Sequence, residues 1–291
     1  MQPFGLECHH VTSASITAAH TRLLALLDRH VIPATFAFVA ASTMTRDEVR
    51  ARPSWFSGLR SRGVDWFAAF GAAFAETGGD GWLCPEAFER VARAGGHEIA
   101  SHGFSHVILH PDHIGDAEFD AEFAKVRMVG AMKQVAFRTL VYPCNQIGFT
   151  HRLAAHGILA YRAALASEES RARRARMKRL LLEFNILEGC QSTGAAGRPA
   201  ALPEGRYLSH RHGLRALVPS VLTRLKVQAM LDDAVRRDRV LHLYCHPQEF
   251  IANESHYALL EAVLRMVSDR VRDRSIEAMT QVDYYRQRLA T

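Results

Sequence analysis

The sequence predicts an α/β fold built on a parallel sheet or barrel, on three observations. Short apolar runs of strand character alternate with stretches of helical period along most of the chain. The clearest run, Ala34-Thr35-Phe36-Ala37-Phe38-Val39-Ala40, is apolar at nearly every position, as strands covered on both faces are. Two histidines, His102 and His106, follow directly on another such run, and parallel strands present their functional groups at their carboxyl ends.

Taken in order, Ile16, Leu23, Leu24, Leu26 and Leu27 recur at helical spacing over residues 13–30, and Pro33 stops the pattern before the strand at 34–40. A helix is expected over 65–76, ahead of Gly78-Gly79, and another from Pro85, in its first turn, to Gly95-Gly96. Residues 97–101 read as strand, 116–133 as helix, 137–142 as strand, 150–156 as helix and 158–161 as a short strand. Residues 167–215 break this rhythm with a basic segment and a Gly-, Pro- and Ser-containing stretch, read as an irregular excursion over one rim of the sheet. A helix at 222–237, a strand at 240–245, a helix at 254–270 and a last helix after Met279 restore it. Leu26, Leu27, Phe36, Phe38, Ile99 and Leu243 are the expected core residues.

A chain of 291 residues, 48% of them apolar, can bury a full core, and one domain over 1–291 is expected. Its first residues lack a basic segment leading into an apolar one, so no signal peptide is expected. No apolar run reaches the ~20 residues that span a bilayer. The five cysteines are odd in number and widely spaced, without a Cys-x-x-Cys pair. That pattern argues against a disulfide framework and a zinc ribbon and makes a reducing cytoplasm the expected compartment.

The net charge of +6 suits an anionic partner, such as a polyanionic glycan, a nucleotide-linked sugar or, by peripheral contact, an acidic membrane surface. Much of the excess is local, in Arg171, Arg173, Arg174, Arg176, Lys178 and Arg179, with Arg206, Arg211 and Arg215 beyond. Such a run is either a solvated helix face or loop, or a functional patch. Nucleic acid is not expected as a partner, because no recognised binding motif accompanies the charge.

The four-residue spacing of His102 and His106 would put both imidazoles on one face of a helical turn, able to grip one divalent cation, with zinc the default for nitrogen donors. Spacing alone is weak in a chain with sixteen histidines; the position after a strand gives it weight.

Ile32-Pro33-Ala34-Thr35-Phe36, Gly96-His97-Glu98-Ile99-Ala100-Ser101-His102 with His106, and Leu243-Tyr244-Cys245-His246-Pro247 together resemble the motifs of the polysaccharide deacetylases, also called the NodB-homology domain or carbohydrate esterase family four. Val141-Tyr142-Pro143-Cys144-Asn145-Gln146 looks like a form of that family's third motif. The resemblance implies a distorted (β/α)7 barrel and a metal-dependent hydrolase that removes an N-acetyl group from an amino sugar of surface polysaccharide or glycoconjugate. It places His102 and His106 on the metal histidines and His246 on the general acid. It also puts Tyr142, Pro143 and Leu243 beside the substrate. His246 has a plain alternative as part of a His-Pro turn, and His242, on the same strand face, is the reserve candidate.

Three departures stand out. In the family's first motif, two acidic residues end a strand; here Glu7 falls on the metal position and Gly5 on that of the base. The proton would then go to Glu7, His9 or His10. Gly103 stands where Ser or Thr is common. Arg138 lies five residues before Pro143 and either orients the site or caps a strand. The other readings are a non-catalytic relative that binds a glycan or protein, and a hydrolase of another non-peptide amide.

Overall fold

A computed structural model describes residues 11–164, 194–208 and 218–290. In chain order its elements are α1 (Ser13–His30), β1 (Thr35–Phe38), α2 (Arg46–Arg50), β2 (Arg60–Ser61), β3 (Val64–Asp65), α3 (Ala68–Thr77), α4 (Pro85–Ala94), β4 (Glu98–Ser101) and α5 (Asp116–Lys133). They continue with β5 (Thr139–Leu140), a 3-10 helix (Thr150–His156), β6 (Ala160–Arg162), β7 (Ala200–Leu202), β8 (Arg206–Tyr207), α6 (Ser220–Arg237), β9 (Leu243–Tyr244), α7 (Pro247–Ala252), α8 (Ser255–Arg272) and α9 (Gln281–Tyr284). Local chemistry sets the helix ends. Thr12 and Ser15 form a reciprocal capping box on α1, and Val31, at φ 55°, closes it in the left-handed conformation.

Five strands form one parallel sheet in the order β1-β4-β5-β6-β7, and β8 pairs in parallel with β9 alone. Among the described residues no strand pairing joins the pair to the sheet, so the expected (β/α)7 barrel is here an open sheet with a separate pair. Pro203, which lacks an amide hydrogen, lies between β7 and β8, where the chain leaves the ladder. Both strands fall within the stretch read as an irregular excursion, which therefore supplies sheet structure; its residues 167–193 and 209–215 lie outside the described residues. The small elements α2, β2, β3 and α7 were not anticipated, being too short to show a period.

The largest core cluster gathers Phe104, Phe119, Phe123, Leu140 and Tyr142 between the sheet and α5. A second packs Leu23, Leu26 and Leu27 of α1 against α6 and α8, and a third holds Phe38 against Phe88 of α4. Leu26, Leu27 and Phe38 are buried as expected, whereas Phe36, Ile99 and Leu243 are only half-buried at the cluster edges.

One buried carboxylate ties the sheet to the C-terminal segment. Glu98 of β4 accepts from Thr35 Oγ1 (2.8 Å), Thr139 Oγ1 (2.5 Å) and the Val282 amide (2.9 Å). Replacing it by alanine strands three donors from β1, β5 and α9. Glu98→Ala is expected to lower the unfolding free energy by about 2–4 kcal/mol in urea titration, with an unchanged slope.

Candidate active site at the carboxyl end of β4

The amide of His102 bonds to Phe38 O at 2.8 Å, continuing the β1–β4 ladder to the sheet edge. Beyond it the chain does not form the helical turn that the four-residue spacing suggested. Gly103 (φ 79°) and His106 (φ 62°) both take left-handed conformations. The carbonyls of Gly103 and Phe104 accept from the amides of Ala40 (2.9 Å) and Ala41 (3.0 Å), which docks the loop on the segment after β1. A turn of this kind suits glycine at 103, and at His106 it is a conformation that non-glycine residues seldom adopt.

The result nevertheless brings the two imidazoles together, with ring centroids 4.7 Å apart and planes at 68°. His102 Nδ1 lies 2.7 Å from Val141 O. A carbonyl can only accept, so Nδ1 carries the hydrogen and Nε2 keeps its lone pair. Burial first, and then the neighbouring His106, hold the His102 pKa well below the ordinary histidine range. Burial, with His246 adding to it, lowers His106 to about 4. Both rings are neutral at pH 7, the state in which imidazole donates to a metal.

The β8–β9 pair supplies the other side. His246 caps α7, with its ring centroid 5.3 Å from that of Tyr207 and 5.9 Å from that of Tyr244. Its Nδ1 lies 3.6 Å from Glu249 Oε1 and 3.4 Å from Tyr207 Oη. Burial, then the charge of Arg162, lowers its pKa to about 4, while burial raises the Glu249 carboxyl to about 8. The reserve residue His242 donates to Pro203 O at 2.9 Å and is lowered to about 4 by burial and by Arg162.

Arg162 is the residue that the sequence reading missed. It ends β6, is buried, donates to Asn145 Oδ1, and lies 4.1 Å above the Tyr244 ring centroid. Its charge reaches His102, His242 and His246. A cation at the carboxyl end of the strand read at 158–161 was the available signal, one residue past the reading.

Arg138, by contrast, is exposed at the opposite, amino-terminal end of β5, because it precedes that strand and does not follow it. It does not reach the histidines. Tyr142 is fully buried, with its hydroxyl donated to Gly148 O at 2.7 Å, so it serves the core and offers no surface to a substrate. Leu243 packs toward the cluster on α1, since strand alternation sends His242 and Tyr244 to the other face; Tyr244, not Leu243, faces the site. Pro143 is buried next to Gly103. Gly5, Glu7, His9 and His10 lie outside the described residues.

Among the described residues no three His, Cys, Asp or Glu side chains gather as a full metal set. His102 and His106 do fit two of the positions, because their rings converge and the outer N–H of His102 is anchored on a carbonyl, the arrangement that presents Nε2 to a metal.

A family model for polysaccharide deacetylases matches residues 13–156, which run from α1 through the histidine loop to the 3-10 helix. This part of the chain belongs to the polysaccharide deacetylase family. The family is one of hydrolases acting on carbon–nitrogen bonds, with carbohydrate deacetylation as the activity it suggests. The chain is also similar to a solved Mycobacterium smegmatis structure whose own assignment as a polysaccharide deacetylase is provisional, at 14% identity and a TM-score of 0.48, over 91% of this chain and 81% of that one. No curated protein matches. Outside the deacetylase match lie Arg162, Tyr207, His242, Tyr244, His246 and Glu249, so the side of the site facing His102 and His106 comes from chain that the family model does not cover. No helix among the described residues is long and apolar enough to cross a membrane.

Proposed function

We propose that the protein is a metal-dependent deacetylase that removes an N-acetyl group from an amino sugar of a surface polysaccharide or glycoconjugate. The observation that carries this reading is the convergence of His102 and His106, neutral and with Nδ1 of His102 anchored, with a third histidine, His246, just after β9, near enough to act on their charge. His102 and His106 would hold a divalent cation, zinc by the preference of nitrogen donors, with Glu7 as the carboxylate donor. When bound, such an ion polarises the acetyl carbonyl and acidifies water.

The chain's own groups do the rest. Arg162, buried beside the histidines, favours negative charge developing on the acetyl oxygen. His246 and Glu249 form a proton-holding pair on the other side, placed to protonate a departing amine. Tyr244 and Tyr207 offer aromatic faces against which a sugar ring can lie. The net charge of +6 favours a substrate on an anionic carrier such as a nucleotide diphosphate. A cytoplasmic setting agrees with the cysteine pattern.

The test is acetate release from a panel of N-acetylhexosamine conjugates by the zinc-loaded protein. Release that stops on chelation and returns with zinc is the expected result. Zinc binding with no release from any conjugate would favour a non-catalytic, glycan-binding relative, for which Gly5 in the base position is the physical reason.

A further inference from the structure

Glu122 of α5 is buried among Phe119, Phe123 and Val126, at 1% exposure, in the largest apolar cluster of the protein. An ionisable group in such a place is expensive to bury and needs a reason. Its Oε2 accepts from both polar hydrogens of one residue, the Ser105 amide at 2.9 Å and Ser105 Oγ at 3.0 Å. Its Oε1 reaches no hydrogen-bond partner among the described residues. Trp66 Nε1 donates to the Ser105 carbonyl at 3.0 Å. Ser105 is therefore held at its amide, its side chain and its carbonyl at once, by Glu122 of α5 and by Trp66 from the segment between β3 and α3.

Ser105 immediately precedes His106, whose φ of 62° is the step that swings its ring against His102. A left-handed non-glycine residue persists only where its surroundings over-determine it. The peptide between Ser105 and His106 is the one whose orientation the Trp66 bond holds, and the Glu122 bonds hold the peptide before it. Between them they leave the loop little freedom to relax.

We infer that Glu122 is a positioning residue for the metal-binding histidines: from the far side of the loop, through Ser105, it holds His106 in the strained turn that brings it to His102. This rests on the reading of His102 and His106 as metal donors. Removing the carboxylate alone leaves the buried Ser105 amide and hydroxyl without their acceptor, so Glu122→Leu costs stability as well as geometry, which the fold control reads separately. Partners behind metal ligands typically change metal affinity by about 10–100-fold.

The experiment measures zinc affinity of the full chain by competition with a chromogenic chelator, for the unmutated protein, Glu122→Leu, Glu122→Gln and Ser105→Ala, with thermal unfolding as the fold control. Glu122→Leu is expected to fold cooperatively and to bind zinc about 10–100-fold more weakly. Glu122→Gln, which keeps an acceptor oxygen of the same reach, should recover most of that loss. A folded Leu variant with unaltered affinity would overturn the inference. Should the Leu variant not fold, Ser105→Ala decides, because it removes one of the two Glu122 bonds; weaker binding is expected, and unaltered binding would be fatal.

If the unmutated protein takes up no zinc, the metal reading fails and the inference is judged without metal. Selectively labelled histidine then reports the cross-relaxation between the His102 and His106 rings, present in the unmutated protein and in Glu122→Gln. Its persistence in a folded Glu122→Leu or Ser105→Ala protein would show that Glu122 does not set the pair.

Discussion

His102→Ala is expected to weaken zinc binding by more than about 100-fold and to abolish acetate release with it. Loss of an outer partner alone typically lowers metal affinity about 10–100-fold, and His102 would itself be a donor. Among the described residues no group of three His, Cys, Asp or Glu donors forms around His106 that could take over its role. Equilibrium dialysis against zinc, followed by acetate release at saturating metal, checks it. Full zinc occupancy in the variant would remove His102 from the ligand set and the present reading with it.

The second large effect concerns the proton. His246, lowered to about 4, takes no second proton above that pH, and Glu249, raised to about 8 by burial, keeps its own up to that pH. Between about pH 4 and 8 His246 keeps only its ring N–H, and the acidic proton of the pair resides on Glu249, 3.6 Å from His246 Nδ1. Because the folded value of Glu249 is raised, the proton is present below pH 8 and is lost as pH rises through it. Acetate release is therefore expected to fall along an alkaline limb near pH 8. His246→Ala should lower release by about 10²–10⁴-fold with zinc affinity unaltered, and Glu249→Gln should abolish that limb's midpoint near 8. A profile with the same alkaline midpoint in Glu249→Gln would take Glu249 out of the proton path. Loss of zinc in His246→Ala would make His246 a ligand instead.

The long helices were legible from sequence because their determinants are local. The spans 13–30 and 116–133 read from the chain coincide with α1 and α5, each ended by its own cap. The strands read correctly in order but too long: 137–142 shrinks to Thr139–Leu140 and 240–245 to Leu243–Tyr244. A strand's length depends on a neighbour elsewhere in the chain, and apolar runs carry no record of how many positions that neighbour pairs. Closure of the barrel was over-read for the same reason, since it asks which strands meet across the gap at β7–β8.

Within the site, spacing and position after a strand singled out His102 and His106, while the resemblance supplied His246. Arg138 was chosen by its distance in sequence from Pro143, and Arg162 was passed over, although Arg162 is the cation among the histidines. Glu122 gave no signal at all, being one acidic residue among several on α5.

By itself the sequence determined the positions of the long helices, their alternation with strands outside residues 167–215, and the family resemblance that the match over residues 13–156 supports, because periodicity, caps and motifs are written over a few neighbouring residues. Only the tertiary structure decided that His102 and His106 meet through a left-handed turn, that Arg162 stands beside them, and that Glu122 holds Ser105 from behind. Those facts depend on side chains brought together from β4, β6 and α5, and contacts between groups so far apart in the chain exist only once the core has packed.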